Sequence, residues 1–184
     1  YNNYFIKKKY PKIKFKRDLN LYWDNKMNRK IIAITGTNGK STTTKLIGNL
    51  FKKNKSPSFV GGNLGRPLLN SFLNKKTFKY HVIELSSFQL EFANDFNPNV
   101  SILLNLSKDH LDRYKNYHDY INQKKKIFSK NQPGYNIISY DDEESIKIFK
   151  KFNIKNKISF SISNSNADIY YKNGYIYDNF FSKK

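Results

Sequence analysis

Apolar residues along this chain come in short runs separated by glycine-rich or polar turns, and the runs alternate between two periods. Ile31-Ile32-Ala33-Ile34 is an unbroken apolar run of strand length, the signature of a strand covered on both faces. Leu46, Ile47, Leu50 and Phe51 then recur at helical spacing up to about Lys53 and predict a helix with those four on one side. Ser58-Phe59-Val60 begins a second strand, and Pro67 opens a helix carrying Leu68, Leu69 and Phe72. Tyr80 to Leu85 and Val100 to Asn105 read as two further strands. A helix follows over about Tyr117–Lys130, with Tyr120, Ile121, Ile127 and Phe128 on its apolar stripe.

Beyond Pro133-Gly134, Asn136–Tyr140 is a strand. The acids Asp141 to Glu144 open a helix reaching about Phe152, where they favour its positive N-terminal end better than they imitate a metal cluster. Lys157–Ile162 is a strand, and Ile169–Tyr177 is a hairpin around Asn173-Gly174. Strands alternating with helices predict an α/β fold: a mostly parallel P-loop-type sheet flanked by helices, with a small antiparallel hairpin at its C-terminal end. Residues 1–29 are basic without sustained periodicity and read as a linker or the remnant of a preceding domain, with Leu21 to Trp23 docking on residues 30–184.

Candidate chemistry gathers at strand ends. Thr35-Gly36-Thr37-Asn38-Gly39-Lys40-Ser41-Thr42 joins the first strand to a helix. Such a turn aims backbone N–H groups at an anion, with Lys40 neutralising terminal phosphates and the Ser41 hydroxyl holding magnesium. The usual P-loop glycine five positions before the Gly-Lys pair is replaced by Ile34, so Gly36 and Gly39 frame a tighter turn. Gly61-Gly62-Asn63-Leu64-Gly65 is a second glycine-rich loop, open to two readings: close approach of a ligand, or a plain connection. Glu84 ends its strand where open α/β sheets bind ligands and suits a magnesium ion, and His110 follows the next strand at the same sheet edge. Lys124 sits centrally in an apolar helix stripe, whereas Lys125 and Lys126 point away. A lysine there either snorkels to water or loses its charge. A neutral amine can take up carbon dioxide and become a carbamate, an anionic metal ligand.

Composition narrows the classes. The 184 residues suffice for one domain with a real core, and the absence of cysteine excludes disulfides and thiolate metal sites. No apolar run reaches the length of a membrane span and no signal-peptide pattern opens the chain, so the expectation is a cytoplasmic protein without a membrane partner. The net charge of +20 invites a nucleic-acid partner, but lysine dominates over arginine and is scattered along the chain. An AT-rich coding sequence explains that bias, and the positive field helps attract a phosphate-rich substrate.

The Thr35–Thr42 turn, Gly61–Gly65, Glu84-Leu85-Ser86-Ser87-Phe88-Gln89-Leu90, Asp109-His110-Leu111-Asp112-Arg113-Tyr114 and the Tyr120–Lys124–Phe128 helix, in this order, resemble the Mur ligases of peptidoglycan synthesis. The resemblance runs from about Arg29 to the C-terminus and to that family's central ATP-binding domain. The Ser-Ser-Phe-Gln-Leu string points to the branch that adds D-glutamate to UDP-N-acetylmuramoyl-L-alanine.

The resemblance implies ATP, two magnesium ions and an acyl-phosphate mechanism. In that scheme Thr35 to Thr42 hold the nucleotide, Ser41 and Glu84 the first magnesium, and His110 with carbamylated Lys124 the second, while Asn63 and Ser86 position the muramoyl-alanine part. It implies a monomer that needs N- and C-terminal domains not found in these 184 residues, and hence little activity from this chain by itself. Rival readings are another ligase of the superfamily, such as a folylpolyglutamate synthase; a basic nucleic-acid-binding module; and a nucleotide-binding domain without ligase chemistry.

Overall fold

The computed structural model describes residues 16–26, 28–63, 65–73, 78–93, 95–109, 112–128 and 134–182. Eight strands form one sheet in the order β2-β3-β1-β4-β5-β6-β7-β8: β1 (Lys30–Thr35), β2 (Ser58–Gly62), β3 (Tyr80–Glu84), β4 (Val100–Leu103), β5 (Tyr135–Ser139), β6 (Lys157–Ser161), β7 (Ile169–Lys172) and β8 (Tyr175–Asp178). All neighbours pair in parallel except β7 and β8, which form the expected antiparallel hairpin. Asn173 and Gly174 both have positive φ, 50° and 85°, as a type I′ turn requires.

The helices are α1 (Asp18–Asp24), α2 (Lys40–Lys53), α3 (Asn70–Leu73), α4 (Ser87–Leu90), α5 (Tyr117–Lys125) and α6 (Glu143–Lys151). The strand order reverses direction at β1: the chain leaves it for β2, returns to β3, then crosses to β4. The crevice of an open α/β sheet forms at such a reversal, outside the C-terminal strand ends.

The two faces of the sheet are covered unequally. One carries the main core, where Ile31, Ala33, Ile83, Leu103 and Ile138 of the strands meet Leu19 and Tyr22 of α1, Leu90 of α4, Tyr120 and Ile121 of α5 and Ile148 of α6. On the other, Ile34, Val82 and Ile102 form a thin cluster met by Ile47 and Phe51 of α2. Gly48, in mid-helix, sets how closely α2 lies: a Cβ there would come within 2.4 Å of Val60 Cγ2. The structure therefore corrects the expected stripe of this helix. Ile47 and Phe51 face the sheet with Thr44 and Gly48, while Leu46 and Leu50 turn to solvent, each 58% exposed.

Further boundaries differ from expectation: the helix expected to open at Pro67 begins only at Asn70, after a turn over Leu68 and Leu69. Helix α5 stops at Lys125 and continues as turns to Phe128, with Ile127 N donating to Lys124 O and Phe128 N to Lys125 O; the expected end at Lys130 lies outside the described residues. Within the basic stretch before residue 30, Leu19 and Tyr22 of α1 are buried in the main core and Trp23 packs edge-on against Phe96, while Leu21 is exposed. Asp142 caps α6 by accepting from Ser145 N at 2.8 Å, in keeping with acids that serve a helix start. Asp141 instead accepts from Ser161, Ser163 and the backbone of Ile162.

The docking of α1 rests on a buried polar pair. Tyr22 OH and His81 Nδ1 lie 2.8 Å apart, both side chains fully buried. Burial, reinforced by the positive Arg29, holds the His81 pKa down at about 4, and burial pushes the Tyr22 hydroxyl well above its ordinary value. Unfolded His81 takes up a proton near 6.5 and folded His81 only near 4, so its contribution is complete above about pH 6.5 and is lost as pH falls toward 4. We expect wild type to lose about 2–3 kcal/mol more than His81→Gln between pH 7 and pH 4, measured by urea unfolding at each pH.

Candidate active site

The residues singled out from the sequence arrive at one edge of the sheet by strand register. Glu84 ends β3 opposite Ile34 of β1 and Gly62 of β2. The phosphate-type turn leaves β1 immediately beyond, and α2 starts from Gly39, which is left-handed with φ 80°. No side chain caps that helix start, so its first-turn N–H groups face outward as an anion site requires.

The turn is held by side chains on all sides. Asn105, just past β4, accepts from Asn38 N at 2.8 Å and donates to Asn38 O at 3.1 Å. Thr37 Oγ1 accepts from Ser107 N at 3.0 Å and lies 3.0 Å from Tyr120 OH of α5. Thr35 Oγ1 donates to Leu85 O at 2.8 Å, tying the ends of β1 and β3. The hydroxyls of Thr35 and Thr37 are thus absorbed in building the turn, as are the N–H groups of Thr37 and Asn38, both of which donate to Asn105. Gly36 is required for a related reason, since a Cβ there would press on Leu104 Cβ at 3.0 Å.

Ser41 Oγ donates to Glu84 Oε2 at 2.7 Å, and Asn63 Nδ2 donates to Glu84 Oε1 at 3.3 Å. Glu84 is only 2% exposed and forms no ion pair among the described residues. A buried carboxylate beside a hydroxyl with no cationic side chain is a donor set that suits a hard divalent cation. The glycine-rich loop has a structural reason as well: Gly62 has φ 127°, and a Cβ there would fall 2.1 Å from Glu84 O. Asn63 N also donates to that carbonyl at 2.9 Å. At these two positions the loop makes room for the strand that carries Glu84. Ser86 caps α4 by accepting from Gln89 N, so its hydroxyl is committed to that helix start.

Two lysines converge on the turn. Lys40 Nζ donates to Gly36 O at 3.0 Å and Thr37 O at 2.8 Å. Lys124, from the last turn of α5, donates to the same Gly36 O at 2.7 Å and is 2% exposed. It has not snorkelled out. Burial, then the nearby Lys40 charge, lowers its pKa to about 7, opposed by Asp109. A substantial neutral fraction therefore exists near pH 7, the form that reacts with carbon dioxide. Lys125 lies over the Phe152 ring, and Lys126 donates to Glu91 O at 2.6 Å; both are half-buried away from the turn. His110 and Leu111, and Leu64 of the glycine-rich loop, lie outside the described residues. Among the described residues no three of His, Cys, Asp and Glu gather into a metal cluster; the contacts join Ser41 to Glu84 and, separately, Lys124 to the Gly36 carbonyl.

Sequence reading missed the roles of Asn105, Ser107 and the Tyr120 hydroxyl. Asn105 and Ser107 are polar residues flanking the apolar end of a strand, a signal also given by ordinary loops. Tyr120 could be read only as a core aromatic.

Fold and site together define an α/β domain with a P-loop-type turn at its sheet edge. The chain belongs to the Mur ligase family, with residues 34–183 matching the Mur ligase middle domain. It is 44% identical over 133 residues to the UDP-N-acetylmuramoylalanine--D-glutamate ligase of Rickettsia prowazekii (strain Madrid E), covering 72% of this chain and 29% of that protein. The protein of the same name from Wolbachia pipientis wMel is 42% identical over 153 residues, covering 83% of this chain and 29% of the relative. This chain thus spans under a third of these relatives' length. Among solved structures, the MurF ligase of Thermotoga maritima in complex with ADP matches with a TM-score of 0.66 at 22% identity, over 85% of this chain and 38% of that one. A UDP-N-acetylmuramoyl-L-alanyl-D-glutamate--2,6-diaminopimelate ligase matches with a TM-score of 0.63 at 22% identity, over 83% and 36%. At that identity the likeness is one of fold.

The Lys124 amine costs stability where it is charged. Its contribution is complete above about pH 10.5 and is lost as pH falls to about 7. In carbon-dioxide-free buffer, Lys124→Met should be about 1–3 kcal/mol more stable than wild type at pH 7, with the gap closing toward pH 10, as read by chemical unfolding at both values.

Proposed function

We propose that this chain is the nucleotide-binding part of an ATP-dependent ligase that joins D-glutamate to UDP-N-acetylmuramoyl-L-alanine in the cytoplasm. The observation that carries the reading is Lys124: a buried amine delivered from α5 to within 2.7 Å of the Gly36 carbonyl in the phosphate turn. The names of relatives at 42–44% identity supply the substrate class.

The turn from Gly36 to Gly39, with the open start of α2, binds the ATP phosphates, and Lys40 leaves the turn carbonyls to neutralise them. Ser41 and Glu84 hold a first magnesium ion, and carbamylated Lys124 with His110 holds a second. Magnesium at those positions supplies screening of the charge on the transferring phosphoryl oxygens. The γ-phosphoryl group passes to the alanyl carboxylate, releasing ADP and leaving an acyl phosphate. The D-glutamate amine attacks the acyl carbon, loses its proton and expels inorganic phosphate, and an amide bond results. Asn63 and Ser86 border the muramoyl-alanine part. Contacts to the uridine nucleotide and to D-glutamate are assigned to a domain before about Arg29 and to one beyond this chain. The working enzyme is a monomer, and these 184 residues alone make little or no ligated product.

Titration of magnesium–ATP into the purified chain should show binding that Lys40→Ala weakens at least about tenfold; no binding by wild type would overturn the nucleotide assignment. In the complete ligase, Lys124→Ala should lose activity that added formate or acetate partly restores, because a small carboxylate can stand in for the carbamate. Full activity of the unassisted variant would remove Lys124 from the mechanism.

A further inference from the structure

Helix α2 carries a surface that the nucleotide site does not use. Leu46 and Leu50, one turn apart, stand in solvent at 58% exposure each, and Lys45, Lys52, Lys53 and Asn49 share the exposed side of the helix, with exposed Lys55 just beyond. From Lys40 to Ser56 there is no acidic residue, and Lys45, Lys52, Lys53 and Lys55 form no ion pair among the described residues.

Among the described residues, the hollow beside the leucine pair is lined by Leu46, Asn49, Leu50, Lys52 and Lys53. The hollow on the Lys45–Lys52 side borders Val60 at the β2 edge. Among the described residues, α2 is the helix that covers the second face of the sheet, and Leu46 and Leu50 lie on its outer side.

We propose that the outer face of α2 docks this protein on an anionic lipid surface, with Leu46 and Leu50 entering the headgroup region and the lysines meeting lipid phosphates. A basic helix with an exposed apolar ridge is the chemistry of interfacial attachment. Charge decides between occupants: a second copy would set lysines against lysines, whereas an anionic bilayer complements them. No helix among the described residues is long and apolar enough to cross a membrane. The expectation of no membrane partner rests on that lack of a span, which a helix lying on the surface does not need.

The test is flotation of the 184-residue chain with vesicles of equimolar phosphatidylglycerol and phosphatidylcholine, against pure phosphatidylcholine. Wild type should float with the anionic vesicles only, and lose binding as salt rises from about 0.1 to about 0.5 M. Leu46→Ser/Leu50→Ser should bind at least about tenfold more weakly at unchanged melting temperature, and Lys52→Glu/Lys53→Glu should weaken similarly. Lys40→Ala should float like wild type, which separates this surface from the nucleotide reading. No flotation of wild type, or undiminished flotation of the leucine variant, overturns the proposal. Displacement by free glycerol phosphate would point to a soluble anion, and leucine-dependent binding to poly-glutamate as tight as to vesicles would point to an acidic protein; either result overturns it.

Discussion

Two amines, eighty-four positions apart, meet at the carbonyl oxygen of Gly36, Lys124 at 2.7 Å and Lys40 at 3.0 Å. Everything that shapes the site depends on this contact. One lysine comes from the helix that the turn begins, the other from a helix on the opposite face of the sheet. Holding both near one carbonyl requires the turn to be rigid, and the pins supplied by Asn105, Ser107 and Tyr120 make it so. Burial, and then the neighbouring Lys40 charge, holds the Lys124 amine below its ordinary pKa.

Glu84 stands to the other side of the same turn and obeys a parallel logic. A buried carboxylate is costly without partners, and here the partners are a hydroxyl from the first turn of α2 and an amide from the glycine-rich loop. Gly62 is needed because the Glu84 backbone occupies the space where a side chain would stand. The sheet edge therefore holds the Glu84 carboxyl group and the lysine-bearing turn side by side.

The unequal covering of the sheet has a different origin. The main face buries aromatic and aliphatic side chains from five helices, whereas the second face is met by α2 through Ile47 and Phe51. Gly48 lets that helix lie close on Val60 and thereby fixes its rotation, which turns Leu46 and Leu50 outward. Four apolar residues at helical spacing span too wide an arc for all to face a flat sheet.

Much of this was legible in the residues alone. The apolar runs, the Asn-Gly turn and the Gly-Lys-Ser motif act through local backbone preference and period, so strand order aside, the α/β class and the position of the phosphate turn follow from the sequence. Lys124 could be placed on an apolar stripe by counting, because helical neighbours lie at known offsets. What counting could not supply was the destination of that stripe, since register between distant strands decides which side chains meet. Only the tertiary structure brought Lys124 to Gly36, paired Tyr22 with His81, gave Asn105 to the turn and sent Leu46 and Leu50 to solvent. Each of these depends on how closely two elements approach, a matter of packing between residues far apart in the chain.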